Sequence, residues 1–218
     1  MHYFENLVQS LDFSSVEATV LRVVAVLLCL TIHETAHGFA AFFLGDNTAY
    51  SQNRLSLNPI HHIDWFGLLM MFTVGFGWAK PVPVNMRHFK NPKRDMAITA
   101  LAGPISNFLL AILIIGCAKL IFLFAPYSDG WNTAFEWCLY TAAPLSVGLG
   151  LFNLLPVPPL DGSRVMTALL PNHLYYQIMR YERIGMLVMF ALVFLGFGSS
   201  FISQGIYWVY GGMLSLFF

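Results

Sequence analysis

The sequence predicts an all-α polytopic membrane protein with five or six membrane segments, broken helices and short extended segments lining an internal cavity. Three observations predict it. The chain of 218 residues is 57% hydrophobic and only 10% charged, against roughly 25% charged in a soluble domain. Its mean hydropathy is +0.66, and its apolar runs are long enough to cross a bilayer. Two proline-rich stretches, Ala79–Asn85 and Pro156–Gly162, interrupt those runs where a regular helix cannot continue. The 11 Lys and Arg balance the 11 Asp and Glu, so no net charge points to a nucleic-acid partner. Cys29, Cys117 and Cys138 stand apart in apolar surroundings and read as small buried hydrophobes, neither a disulfide framework nor a thiolate site.

Residues 1–15 read as an N-terminal interfacial arm, with Tyr3, Phe4, Leu7, Val8 and Leu11 near helical spacing. The N-terminus lacks the basic start and small-residue cleavage site of a signal peptide, so the first span is expected to serve as insertion signal. Residues 16–218 read as one intramembrane domain with its core in 16–170. The first span runs from about Glu17 to Gly45, roughly 40 Å at ~1.5 Å per residue. A polar connection over 45–63 contains the extended-looking Leu55–Pro59. Trp65–Trp78 is apolar but short and glycine-marked, which suits a tilted, partial or re-entrant helix.

Ala79–Asn85 is non-helical because Pro81 and Pro83 remove amide donors. Lys80, Arg87, Lys90, Lys93 and Arg94 follow closely, which places the 80–94 loop on the cytoplasmic side. A third span covers about Met96–Phe124, with irregularity expected at Pro104. A fourth covers Phe135–Leu155 and leads into the second proline stretch. Ser163–Leu170 reads as a short helix ended by Pro171, Ile184–Phe197 as a further span, and Phe201–Phe218 as a short apolar tail. Tyr207, Trp208 and Tyr210 in that tail suit an interfacial belt.

The first span carries His33-Glu34-Thr35-Ala36-His37. Histidines four residues apart share one helix face and can chelate one metal ion, while Glu34 beside the first can take a proton from an activated water. Three ionisable residues in the middle of a membrane helix are costly in lipid and call for a function. Catalytic zinc commonly takes three protein ligands. Asp161 is the best third one, a carboxylate after a rigid proline-rich approach and followed by Gly162; Glu136, Asp129 and Glu17 are worse placed.

This HExxH in a membrane helix, the Asn153–Gly162 run Asn-Leu-Leu-Pro-Val-Pro-Pro-Leu-Asp-Gly and the Gly-x-x-x-Asn of Gly103–Asn107 resemble the site-2 protease family of intramembrane zinc metalloproteases. The likeness spans at least residues 31–162 and is closest to the small members without PDZ or CBS modules. The spacing from Asn153 to Asp161 is slightly longer than the compact form of the motif. The resemblance implies one catalytic Zn²⁺ on His33, His37 and Asp161, Glu34 as general base, and a transmembrane protein substrate such as a membrane-anchored regulator. It implies residence in the plasma membrane of a prokaryote. Asn153 matches the asparagine opening the second motif, and Asn153 and Asn107 are candidates for donors to the oxyanion.

Each of these residues also has a plainer reading. The two histidines could be a polar pair between helices, Asp161 an N-cap, Asn153 a backbone cap and Asn107 an interhelical hydrogen bond. His61, His62, His88 and His173 read as surface, gate or loop residues. Val82, Val84 and Leu55–Asn58 are expected to offer extended edges to an unwound substrate. A transporter and a noncatalytic membrane scaffold are the competing function classes; solute flux would mark the first and absence of bound metal the second.

Overall fold

The computed structural model describes residues 16–74, 78–171 and 199–218, with isolated positions between 173 and 191. The expected arm over 1–15, residues 75–77 and most of the span expected over 184–197 lie outside the described residues. What is described is helical, with no strand.

Helix α1 spans Val16–Phe43, α2 Thr48–Ser51, α3 Trp65–Val74 and α4 Pro92–Phe124. Helix α5 spans Asp129–Glu136, α6 Ala143–Asn153, α7 Asp161–Ala168 and α8 Ser199–Leu214. Among the described residues α1 and α4, of 28 and 33 residues, are the two helices long and apolar enough to cross a membrane. A π-helical turn at Trp137–Ala142 joins α5 to α6 without interrupting the rod. Pro144 in the first turn of α6 cannot donate to the preceding turn, which accounts for the wider register before it.

The helices alternate in direction around a core of small residues. Ala25, Ala111, Ala118, Ala142 and Ala143 are fully buried, so helix backbones approach closely, as in membrane packing. Ile115 and Val147 fill the space between them. Trp137 Nε1 donates to the Leu21 carbonyl at 2.8 Å, and Ser146 Oγ donates to the Asn107 carbonyl at 2.8 Å. These bonds tie the α5–α6 rod to α1 and α4. The outward faces remain apolar, with Val20, Val24, Leu109, Leu113 and Leu120 exposed, a surface that suits hydrocarbon.

Several expectations are corrected. Helix α4 runs unbroken through Pro104; Pro104 is buried, and its carbonyl lies against Gly150 of α6. Tyr210 is not an interfacial residue: it is 6% exposed, and its hydroxyl donates to the Leu139 carbonyl at 2.7 Å. Tyr207 and Trp208 do face outward. The described part of α8 has 16 residues, about 24 Å, against a ~30 Å hydrocarbon core. Cys117 is exposed, unlike Cys29 and Cys138. His62 is buried, donating from Nε2 to the Ser56 carbonyl at 2.7 Å. Asp64 accepts from the amides of Phe66 and Gly67 at 3.0 and 2.9 Å, so its carboxylate caps the start of α3.

Two loops pack onto the end of α1. Asp46 is fully buried, and its Oδ1 accepts from Thr48 N at 3.0 Å, Thr48 Oγ1 at 2.5 Å and His88 Nδ1 at 2.7 Å. Its Oδ2 accepts from Asn85 N at 2.6 Å. Burial alone would raise the carboxyl pKa, but these donors, Thr48 and Asn85 foremost, hold it below the usual range. Residues 78–84 run extended beside the 59–63 turn. Ile63 and Ala79 form an antiparallel bridge, Lys80 N donates to the His62 carbonyl at 2.9 Å, and Arg54 Nη2 donates to the Lys80 and Pro81 carbonyls at 2.8 and 3.2 Å.

Candidate metal centre

Helical spacing sets His33 and His37 one turn apart on the face of α1 that meets α4. Their rings stand edge to face with centroids 4.6 Å apart, and the two Nε2 atoms are 3.0 Å apart. Asp161, the first residue of α7, places Oδ2 at 3.1 Å from His33 Nε2 and 3.2 Å from His37 Nε2. Among the described residues no side chain or amide donates a conventional hydrogen bond to that oxygen, although it is buried. A tetrahedral zinc ion with bonds of ~2.0–2.1 Å holds its ligand atoms roughly 3.3 Å apart. Two imidazole nitrogens and one carboxylate oxygen at this spacing therefore fit zinc in donor type and in geometry. It is the one His/Cys/Asp/Glu group of this kind among the described residues.

Glycines make the approach possible. A Cβ on Gly103 would lie 2.5 Å from both Cε1 and Nε2 of His37 and 2.6 Å from Cε1 of His33. Helix α4 can thus lie against both rings only with hydrogen at this position. A Cβ on Gly162 would lie 2.1 Å from the Leu154 carbonyl oxygen, so the residue after Asp161 must be bare for α7 to dock against the end of α6.

The nitrogens turned away from the cluster are also held. His37 Nδ1 lies 2.7 Å from the Thr99 carbonyl, to which it donates. Asn107, fully buried, sits 3.0 Å from His33 Nδ1. Thr99, Gly103 and Asn107 are spaced by four, one stripe along α4 facing the two histidines in antiparallel order. The spacing was visible in the sequence; the rotation of α4 that aims it at α1 was not.

Glu34 is half-buried, and its Oε2 accepts from Val82 N at 2.8 Å. Thr35 Oγ1 donates to the Ser56 carbonyl at 2.8 Å. Both extended stretches therefore abut the helix face beside the cluster. Asn153 ends α6, and its Nδ2 donates to the Leu149 carbonyl of its own helix at 3.0 Å. Asn153 has no hydrogen bond to the histidine cluster, and Asn107 lies on the side of His33 away from the Nε2 atoms. Of the predicted residues, His33, His37 and Asp161 are brought together, with Glu34 beside them.

Comparison with known proteins gives concordant matches. The model of peptidase family M50 matches residues 117–196, a segment that contains Asp161. "Putative zinc metalloprotease YwhC" of Bacillus subtilis (strain 168) is 38% identical over 182 residues, covering 81% of each chain. Proteins of the same designation called Rip2 also match. That of Mycolicibacterium smegmatis is 30% identical over 154 residues, 68% of this chain and 57% of its own. That of Mycobacterium tuberculosis (strain H37Rv) is 31% identical over 194 residues, 86% of this chain and 69% of its own. No solved structure matches the chain.

Proposed function

The chain belongs to peptidase family M50, the site-2 protease family, as a membrane-embedded zinc metalloprotease, and we propose from this premise that it is an endopeptidase cutting transmembrane segments of other membrane proteins. The observation that carries the reading is the convergence of His33, His37 and Asp161 at the flank of a membrane-length helix. His37 and His33 lie about 9 and 15 Å back from the Phe43 end of α1. That depth is within the hydrocarbon layer, on the side of the basic 80–94 loop. By the positive-inside rule the loop faces the cytoplasm of a prokaryotic cell and the site opens toward it. The chain would cross the plasma membrane in five or six segments, and its substrate would be a single-span protein such as a membrane-anchored regulator.

His33, His37 and Asp161 would hold Zn²⁺, which supplies Lewis acidity toward a water and a peptide carbonyl. Glu34 takes the proton from the attacking water and gives it to the departing amine. Its carboxylate is oriented for this by the Val82 amide. Substrate must unwind before its carbonyl can be reached, because a helix encloses its own backbone. Val84, extended and half-buried, makes no backbone hydrogen bond among the described residues and offers a pairing edge to an unwound segment. Asn153 lends its amide to the developing oxyanion only by releasing the Leu149 carbonyl.

The test is to purify wild type and E34Q in detergent, measure zinc by mass spectrometry, and offer both a panel of single-span substrates. Zinc in both and cleavage by wild type alone is expected; cleavage by E34Q at the wild-type rate removes Glu34 as base, and wild type without zinc removes the site. V84P is expected to keep zinc and lose cleavage, and unchanged cleavage excludes that edge.

A further inference from the structure

Helix α4 places Asn107 against His33 in a way that the proposed peptidase chemistry does not require. Its side chain is fully buried and lies 3.0 Å from His33 Nδ1, while the amide oxygen has no partner among the described residues. The two orientations of the amide have different consequences, since oxygen and nitrogen exchange places on a half-turn. With the nitrogen toward His33, Nδ1 must accept and the ring proton moves to Nε2. That proton would point into the space shared by His37 Nε2 and Asp161 Oδ2, leaving His33 no lone pair for a metal. With the amide turned over, the oxygen accepts from Nδ1–H and Nε2 presents its lone pair.

We propose that Asn107 is a positioning residue that accepts from His33 Nδ1–H and so fixes the tautomer and ring orientation in which His33 Nε2 is a metal ligand. It is the counterpart of the Thr99 carbonyl behind His37. Both ligand rings are thereby oriented from one stripe of α4, one by a main-chain and one by a side-chain oxygen. The inference rests on the zinc reading, because that reading is what requires a lone pair on His33 Nε2.

Zinc affinity of the full-length chain in detergent is measured against a competing chelator for wild type, N107L, N107D and S146A. N107L removes the acceptor at similar size and is expected to bind zinc about 10–100-fold more weakly. N107D keeps an acceptor oxygen and is expected to stay within about threefold of wild type. S146A removes the bond to the Asn107 carbonyl without touching His33, and is expected to bind like wild type. N107L at wild-type affinity overturns the proposal; so does S146A as weak as N107L, which would mean packing alone. If N107L does not fold, the comparison of N107D with wild type decides. The zinc-free protein gives a second readout: nitrogen-15 spectra of histidine-labelled chain, with H33Q to assign the signal, should show His33 protonated at Nδ1. Protonation at Nε2 overturns the proposal. A wild type that binds no zinc overturns the metal site instead, and the tautomer readout still tests Asn107.

Discussion

At Gly103 a single hydrogen separates the backbone of α4 from two imidazole rings. An alanine methyl would sit 2.5 Å from His37, closer than carbon and nitrogen can approach, and neither ring can retreat from Thr99 and Asn107 without losing its partner. G103A is therefore expected to weaken zinc binding at least ~10-fold, measured as metal retained after dialysis against a weak chelator. G211A is the control, since a Cβ there meets nothing within 4 Å and zinc binding should not change. The convergence of His33, His37 and Asp161, with Glu34 beside them, was legible in the sequence because ionisable side chains in apolar runs need a reason and a two-histidine spacing invites a third partner. The place of Asn107 was not legible. An asparagine in a helix has several uses, and choosing among them requires knowing which face of α4 meets α1.

Among elements, the extended 78–84 stretch has a property set by its prolines. Pro81 and Pro83 have no amide hydrogen, so Val82 holds the one N–H of this tripeptide, and Glu34 takes it. V82P removes that donor in a segment already extended, and its cost should fall on the carboxylate. Retained zinc with kcat lowered at least ~10-fold is expected, within the ~10²–10⁴-fold that a general base contributes. Wild-type turnover would show that Glu34 needs no such partner. At the other side of the bundle, Tyr210 anchors α8 to the π turn through one buried hydrogen bond. Y210F should cost about 1 kcal/mol, seen as a melting temperature about 2–4 °C lower. The Asp46 cluster fastens residues 85–88 to the end of α1. Its carboxyl pKa is depressed by folding, so its contribution to stability is complete above the unfolded value of ~3.9 and lost as pH falls through the lower folded value. The difference in melting temperature between wild type and D46N should stay constant from pH 7 to about 5 and shrink below about 4.

At the scale of the whole molecule, the metal site ties α1 to α7 while α4 backs both histidines. Zinc binds the folded chain through residues that the unfolded chain scatters, so at about 100 times Kd it adds roughly 2.7 kcal/mol. Chelation should lower the melting temperature by about 5–10 °C, and zinc added back should restore it; a melting temperature indifferent to zinc would separate the site from stability. The helical class and the two long helices could be read from composition and run length, because apolar length is a one-dimensional property. The continuity of α4 through Pro104 and the burial of Tyr210 could not, because each depends on what a neighbouring helix brings to that spot. The non-helical stretches were legible from their prolines, but their bonds to Glu34 and Thr35 were not.

The distance along the chain between the histidines and Asp161 also sets an order of events during synthesis. His33 and His37 leave the ribosome some 120 residues before Asp161, about 6–25 s at ~5–20 residues per second. Throughout that interval the nascent chain has its two imidazoles and Glu34 but not yet Asp161. A peptidase assembled this way cannot begin to cut while it is still being inserted beside other unfolded membrane chains.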